Sequence, residues 1–251
     1  MTTEASSVAR GCEVVELRQY TLHPGQRDVL IELFDREFVE TQEAVGIQVI
    51  GQFRQDAEPD RYVWLRGFAD MIARRRALTA FYEESETWAA NSEAARATMA
   101  STINTLLLKP IGLDSGFDLT GHHRPGIDAH ELPSSRIVAT ICYANAPFGA
   151  EFAGFFEENV SPVLAQLGAS PIAAFQSEHA ENTFPRLPVR EGENVFVWFS
   201  RFANDAELAQ HARRLEQPGR WRDELLPELR TRLSEPLEQL TLSPTARSRL
   251  R

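Results

Sequence analysis

The sequence predicts an α+β fold of two β-α-β-β-α-β units that pack sheet to sheet as an α+β barrel. The first observation is an internal repeat: a shift of 122 positions aligns the first part of each half, and a shift of 134 aligns the second part. The second is that the extra 12 residues fall in one loop between Phe175 and Val197, which is rich in turn-forming and charged residues. The third is that strand-like and helix-like apolar periods alternate in the same order in both halves.

The aligned positions are spread along both halves, as a duplicated unit requires. At the shift of 122 they pair Leu33-Phe34 with Phe155-Phe156, Gly46 with Gly168 and Phe53 with Phe175. At the shift of 134 they pair Val63-Trp64 with Val197-Trp198, Phe68-Ala69 with Phe202-Ala203 and Pro110 with Pro244. The two halves therefore predict one repeated framework with a lengthened hairpin in the second copy.

The first half contains four predicted strands and two helical regions. Strand-like alternation covers Val14 to Tyr20, Gln48 to Phe53, Arg61 to Phe68 and Ile103 to Leu108. The first helix opens at Pro24-Gly25, carries an apolar stripe at helical spacing and ends at Gly46. Asp70 is the expected N-cap of the second helical region, which runs on to Ala100.

The second half repeats this order from residue 136. Pro147 opens a helix with an apolar stripe that includes Phe152 and Phe156, and Pro162 is expected to kink or split it. Asn204 is the N-cap that corresponds to Asp70. We expect a first unit at residues 12–112, a linker at 113–135 and a second, diverged unit at 136–245.

The order β-α-β-β-α-β is that of the ferredoxin-like unit, whose sheet carries both helices on one face. The other face is apolar in both halves, which predicts that the two sheets cover each other. Two units can close a barrel within one chain, but exposed strand edges would favour a homodimer or another homo-oligomer.

Composition limits the partners and the compartment. The formal net charge is -10, which disfavours nucleic acid as a partner. No segment approaches the roughly 20 apolar residues of a membrane span, and the first eleven residues lack the apolar run of a secretory signal. Two cysteines without a paired spacing indicate a reduced, cytoplasmic protein, and the basic tail TARSRLR is expected to fray.

The sequence also resembles the NIPSNAP family of dimeric α/β-barrel proteins. The matching segments are Glu16-Leu17-Arg18-Gln19-Tyr20-Thr21-Leu22, Pro24-Gly25 and Tyr62-Val63-Trp64-Leu65-Arg66-Gly67-Phe68, with the aromatics Phe81-Tyr82 and Trp88. The resemblance covers the first half well and the second more loosely. It implies a fold shared with cofactor-free monooxygenases, isomerases and some haem enzymes.

Alternation along the strands predicts a polar pocket in the first half. Glu16, Arg18 and Tyr20 share one face of their strand, and Trp64 and Arg66 share a face of theirs. We expect Glu16, Arg18, Tyr20 and Arg66 to be catalytic. The arginines would stabilise an oxyanion, Tyr20 would donate a hydrogen bond or proton, and Glu16 would be a base whose pKa burial raises. Gln52, Trp64, Tyr82 and Trp88 would bind the substrate.

The repeat supplies an internal comparison for this pocket. The positions of Glu16, Arg18 and Tyr20 become Val138, Thr140 and Cys142 in the second half, and those of Gln52 and Arg66 become Ala174 and Ser200. Because the second half keeps the apolar framework and loses the charges, any site is expected in the first half. The alternative interpretation is a structural ion pair between Glu16 and an arginine.

The histidines and the arginine run are weaker candidates. His23 is expected to be a solvated loop residue. The linker residues His122, His123, Asp128, His130 and Glu131 lack a metal-ligand spacing, and the run Arg74-Arg75-Arg76 is expected on the wet face of a helix. His179 or His211 would be the axial ligand if the protein bound haem.

The sequence therefore favours an enzyme without a metal or other cofactor, acting on a small apolar or aromatic metabolite by monooxygenase- or isomerase-like chemistry. Two alternatives stay open: a non-catalytic protein that binds a small ligand or serves as a scaffold, and a haem enzyme of the same fold.

Overall fold

The structure, a computed structural model, describes residues 12–251. The first eleven residues, for which the sequence predicts no secretory signal, lie outside the described residues. The strands are β1 (Val14–Leu22), β2 (Gln48–Gln55), β3 (Arg61–Phe68), β4 (Met99–Pro110), β5 (Arg136–Ala144), β6 (Pro171–Ser177), β7 (Asn194–Phe202) and β8 (Glu238–Pro244). The α-helices are α1 (Arg27–Leu33), α2 (Val39–Ala44), α3 (Met71–Tyr82), α4 (Glu86–Ala97), α5 (Ala150–Phe155), α6 (Ser161–Gln166), α7 (Asp205–Glu216) and α8 (Leu226–Thr231).

The eight strands form one closed antiparallel barrel. Their order around it is β1-β3-β2-β8-β5-β7-β6-β4, so the two halves meet edge to edge at β2–β8 and at β4–β6. The predicted α+β barrel is confirmed. Among the described strands each barrel edge is paired within one chain, so the exposed edges expected to favour dimerisation are already covered.

The strand registers agree with the two shifts found in the sequence. Glu16 lies opposite Arg66 in the β1–β3 pair, and Val138 lies opposite Ser200 in the β5–β7 pair. An irregularity follows Val49 in β2, and another follows the corresponding Pro171 in β6. The repeated sequence positions thus occupy corresponding places in the barrel.

The inside of the barrel is an apolar core drawn from both halves. Alternate residues of every strand point into it, including Val15, Leu17 and Leu65 from the first half and Val197 and Phe199 from the second. Within the core Gly67 allows close packing, because a Cβ there would lie 2.2 Å from Cys12 Sγ. This mixed core joins the halves into one folded body.

The helices cover the outside of the barrel. Asp70 and Asn204 cap α3 and α7 by accepting hydrogen bonds from Ala73 N and Glu207 N. Short π-helical segments, Phe34–Phe38, Phe156–Val160 and Trp221–Leu225, interrupt the helical regions. Pro162 lies in the first turn of α6, directly after the second of these segments, where its missing N–H is tolerated. None of the helices in residues 12–251 is long and apolar enough to cross a membrane.

The C-terminal residues contradict the expected fraying. Arg247 is 2% exposed and bonds to Glu40 and to the carbonyl of Asp35. Leu250 packs in the barrel core, and its N–H donates to Ile50 O at 2.8 Å. The apolar Leu250 anchors this segment over the irregular part of β2, which the charge of the tail conceals in the sequence.

Candidate active site

The polar side chains of β1 and β3 face the helices, as the alternation predicts. Glu16 lies opposite Arg66, and Arg18 lies opposite Trp64. Tyr20 and Trp64 belong to the apolar layer between the barrel and the helices, whereas Val15 and Leu17 point into the barrel. The expected grouping of these residues on one face is therefore present.

Three arginines surround the single carboxylate of Glu16. Glu16 Oε2 accepts from Arg18 Nη1 and from Arg66 Nε, both at 2.7 Å, and Glu16 Oε1 accepts from Arg74 Nε at 2.7 Å. All four side chains are fully buried. Arg74 comes from α3, where the sequence predicts a wet face; it turns inward because Glu16 supplies a buried partner. We call these four residues the arginine cluster.

The arginine cluster fixes the charge of Glu16. Burial alone would raise the pKa of its carboxyl group, but the charges of Arg66, Arg18 and Arg74 outweigh burial and hold the pKa well below its ordinary value. This direction is opposite to the one expected from the sequence. Glu16 remains ionised, and the cluster keeps an excess of positive charge beneath the helices.

Two arginines of the cluster also reach tyrosine hydroxyl groups. Arg18 Nε donates to the oxygen of Tyr20 at 2.9 Å, and Arg66 Nη1 donates to the oxygen of Tyr82 at 3.2 Å. Within residues 12–251 neither hydroxyl proton has an acceptor. Burial raises the pKa of Tyr82 although the charge of Arg66 opposes it, so the phenol stays neutral. Both hydroxyl groups can therefore donate a hydrogen bond to a ligand.

A cavity of about 480 Å³ lies between the barrel and the helices of the first half. Its volume is in the usual range for a small-molecule site. Its walls are mainly aromatic and aliphatic. From the first half they comprise Tyr20, Leu30, Phe34, Phe38, Gln42, Trp64, Phe81, Tyr82, Trp88, Arg96 and Met99–Ile103. Phe34 and Phe38 begin and end a π-helical segment, a local geometry that often occurs at functional sites.

The lengthened hairpin of the second half forms the remaining wall. Phe184, Arg186, Leu187 and Pro188 line the cavity. The hairpin is held there by the arginine cluster, because Arg74 Nη1 donates to Asn182 Oδ1 at 3.0 Å and to Thr183 Oγ1 at 3.2 Å. The sequence predicts this insertion and predicts a site in the first half. The cavity itself is lined by residues of both halves.

The predicted site residues divide into three groups. Tyr20, Trp64, Tyr82 and Trp88 line the cavity. Glu16, Arg18 and Arg66 are not part of the lining: Arg18 bonds to Tyr20 and Arg66 to Tyr82 from behind it, and Glu16 bonds to both arginines. Gln52 is outside the lining: it donates to Asp35 Oδ1 and accepts from the Tyr62 hydroxyl, so its amide is satisfied by the protein. A role for Gln52 in contacting the substrate is therefore not supported by its position.

The histidines lie away from the cavity. His23, His122, His123, His130 and His179 are exposed, and within residues 12–251 no group of three or more His, Cys, Asp or Glu side chains is arranged to hold a metal. His211 Nδ1 lies 3.0 Å from Leu167 O beside a cavity of about 90 Å³ in the second half. A haem bound by His179 or His211 would therefore not occupy the large cavity.

Residues 15–112 match the family model described as NIPSNAP. We call residues 15–112 the NIPSNAP domain, after the family that they match. The NIPSNAP domain supplies β1 to β4, the arginine cluster and most of the cavity wall. A search among curated proteins found no match to the chain.

Solved structures share the fold over nearly the whole chain. A proposed monooxygenase from Fusobacterium nucleatum is 7% identical with a TM-score of 0.57, and the match covers 94% of this chain and 93% of that one. A proposed monooxygenase from Lactobacillus acidophilus is 12% identical with a TM-score of 0.51, covering 92% and 93%. An anthrone oxidase-like protein is 14% identical with a TM-score of 0.55, covering 92% and 91%. At these identities the similarity shows that the NIPSNAP domain and the second half together have the same fold as these proteins. It does not show which reaction is catalysed.

Proposed function

We propose that the protein is a cofactor-free enzyme that oxidises a small aromatic metabolite through an enolate or phenolate bound in the 480 Å³ cavity. The observation that carries this proposal is the pair of hydroxyl groups of Tyr20 and Tyr82. Each lines an aromatic cavity, and each accepts a hydrogen bond from a buried arginine while its own proton is free to be donated.

This arrangement stabilises an oxyanion. Hydrogen-bond donors fixed in a site of low polarity stabilise negative charge that develops on a ligand oxygen. The arginine cluster strengthens both donors, because a guanidinium that donates to a phenol oxygen polarises the O–H group through the connected hydrogen bonds. Glu16 is a positioning residue in this proposal: it holds Arg18 and Arg66 in place and stays ionised throughout.

The lining also limits the acid–base chemistry. Among the described residues that line the cavity, none is a carboxylate or an imidazole. The substrate must therefore release its proton to water, which suits an acidic C–H conjugated with a carbonyl. Tyr20 and Tyr82 would lower the pKa of such a C–H by stabilising the enolate oxygen.

Molecular oxygen is the oxidant in the proposed reaction. A methylene carbon conjugated with the carbonyl loses one proton to water and forms the enolate. Oxygen accepts electrons from the enolate and bonds to that carbon; one oxygen atom stays there as a new carbonyl. The other oxygen atom leaves as water, with the second hydrogen of that carbon and one proton taken back from solvent. Without oxygen, the same enolate reprotonated at a different carbon would give an isomer, so monooxygenase- and isomerase-like reactions share this intermediate.

The comparisons and composition support further parts of the proposal. Monooxygenase and anthrone oxidase names occur among structures of the same fold, and an anthrone has the required acidic methylene group. The corresponding strand registers of the two halves support a first ferredoxin-like unit at 12–112, a linker at 113–135 and a diverged unit at 136–245. Both cysteines are unpaired, which supports a cytoplasmic location, and the net charge of -10 supports a small molecule rather than nucleic acid.

Oxygen uptake with anthrone as substrate tests the proposed function. We expect uptake above the uncatalysed rate, with anthraquinone and water as products. Tyr82→Phe should lower kcat by about a hundredfold, the usual effect of losing one oxyanion donor. Tyr143→Phe is the matched control, because Tyr143 belongs to the barrel core and its hydroxyl donates to Glu238 outside the cavity.

Two results would contradict this proposal. Equal uptake by wild type and Tyr82→Phe would remove Tyr82 from the chemistry. Tight binding of anthraquinone without any oxygen uptake would favour the alternative of a non-catalytic ligand-binding protein, for which the lack of a lining carboxylate or imidazole is the supporting observation.

A further inference from the structure

The cavity has a charge opposite to that of the protein as a whole. Two arginines, Arg96 and Arg186, line it together with apolar groups, and its described lining contains no acidic side chain. Arg18 and Arg66 add positive charge directly behind Tyr20 and Tyr82. The formal net charge of the chain is nevertheless -10, so this positive region is local. Such a site attracts an anion and disfavours a cation.

The two lining arginines differ in their partners. Arg186 forms an ion pair with Glu83 at 2.9 Å, which reduces its charge toward a ligand. Arg96 has no ion pair within the described part of the chain, and its guanidinium lies 5.5 Å from the ring centroid of Trp88, which also lines the cavity. Stacking on Trp88 holds this guanidinium near the opening while leaving its N–H groups available.

Arg96 belongs to α4, and its side chain is exposed at the outer end of the cavity. Tyr20 and Trp64 lie on barrel strands at the inner end. The cavity therefore has an aromatic middle, an oxyanion-stabilising inner end and a free cation at its opening. A flat aromatic ligand with a carbonyl oxygen at one end and an acidic group at the other matches all three parts.

We propose that the substrate class is a planar aromatic carboxylate whose carboxylate binds Arg96 at the opening of the cavity. This inference rests on the proposed function for the inner end of the ligand and adds the charged group at the outer end. A carboxylate is the best match because the planar guanidinium can donate two parallel hydrogen bonds to it. The charge would also slow the escape of a ligand held mainly by apolar contacts.

Binding of two probes tests the inference: anthraquinone, and anthraquinone monocarboxylic acid. Isothermal titration of the full chain should show the carboxylate binding about fivefold more tightly, as expected for about 1 kcal/mol from one exposed ion pair. Arg96→Gln should abolish this preference and leave the affinity for anthraquinone within about twofold. Arg75→Gln is the matched control, since Arg75 is an exposed helical arginine outside the cavity lining.

The outcomes separate the two proposals. If the carboxylate keeps its advantage in Arg96→Gln, or has none in wild type while anthraquinone binds, the role of Arg96 is wrong and the proposed function stands. If neither probe binds to the folded wild-type protein, the aromatic cavity is not the ligand site, and both proposals fail. Raised salt should reduce only the carboxylate preference, because an exposed ion pair is screened.

Discussion

At the scale of single residues, the central feature is one carboxylate that holds three buried arginines. The desolvation of four charges is costly, and Glu16 is the only acidic group bonded to these arginines in the described chain. A cluster of this kind is weak support for stability by itself. Its value lies in fixing Arg18 and Arg66 against the hydroxyl groups of Tyr20 and Tyr82.

Glu16→Gln should destabilise the protein strongly, because it leaves three buried arginines without their shared anion. We expect the free energy of unfolding to fall by about 3–5 kcal/mol, measured by urea denaturation. Glu151→Gln is the control, since Glu151 forms only an exposed pair with Arg232 and should change stability by less than about 1 kcal/mol. Similar losses of unfolding free energy in both variants would show that the three buried arginines do not need the negative charge of Glu16.

The lowered pKa of Glu16 predicts the acid sensitivity of the fold. Its folded-state pKa lies below the ordinary value of 4.5, so the unfolded chain takes up the proton first as the pH falls. The stabilisation is complete above about pH 4.5 and is lost progressively below it. Urea midpoints measured from pH 6 downward should fall less steeply below pH 4.5 in Glu16→Gln than in wild type, and parallel curves would contradict this.

Some of these residues are predictable from the sequence for a physical reason. Strand alternation fixes the face of every residue, so the grouping of Glu16, Arg18 and Tyr20 was predictable. Arg74 was not, because a helical arginine within a run of three resembles a solvated face until its distant partner is known. The pKa direction of Glu16 depends on that same long-range contact.

At the scale of elements, the main feature is the long hairpin between β6 and β7, which adds a wall from the second half to the cavity. Its length was predicted from the two repeat shifts, and its turn-rich composition from the sequence. Its docking onto the NIPSNAP domain was not predictable, because the contact of Arg74 with Asn182 joins residues 108 positions apart. The first half carries the chemical groups, and the second half closes the cavity around them.

Removing the apolar contacts of this hairpin should weaken ligand binding without unfolding the barrel. Phe184 and Leu187 line the cavity, and the Phe184 ring lies 6.0 Å from that of Tyr82. The double variant Phe184→Ala/Leu187→Ala should lose at least about tenfold in affinity for anthraquinone, because two central apolar contacts are removed. Leu132→Ala, at an exposed linker position, is the control. Unchanged affinity with an intact circular dichroism spectrum would exclude the hairpin from the site.

At the scale of the whole molecule, the closed barrel makes the two halves depend on each other. The prediction of an α+β barrel held because both halves present an apolar sheet face and because eight strands suffice to enclose a filled core. The edge-to-edge junctions β2–β8 and β4–β6 were not visible in the sequence, since strand order depends on contacts between distant segments.

We therefore expect one cooperative unfolding transition. Each half contains two of the four tryptophans, Trp64 and Trp88 in the first and Trp198 and Trp221 in the second. Trp88→Phe/Trp64→Phe reports on the second half by fluorescence, and Trp198→Phe/Trp221→Phe reports on the first. Within each variant the fluorescence and circular dichroism midpoints in urea should coincide, and a separation between them would indicate independently folding halves.

The position of β8 in the barrel has a consequence for synthesis on the ribosome. β8 is the last strand in chain order, and it bridges β2 of the first half to β5 of the second. A nascent chain that has not yet reached Glu238 must hold two unpaired strand edges, which are ready templates for pairing with neighbouring chains. Closure is therefore a late event, and the interval before it is the period in which the newborn polypeptide is most exposed to aggregation.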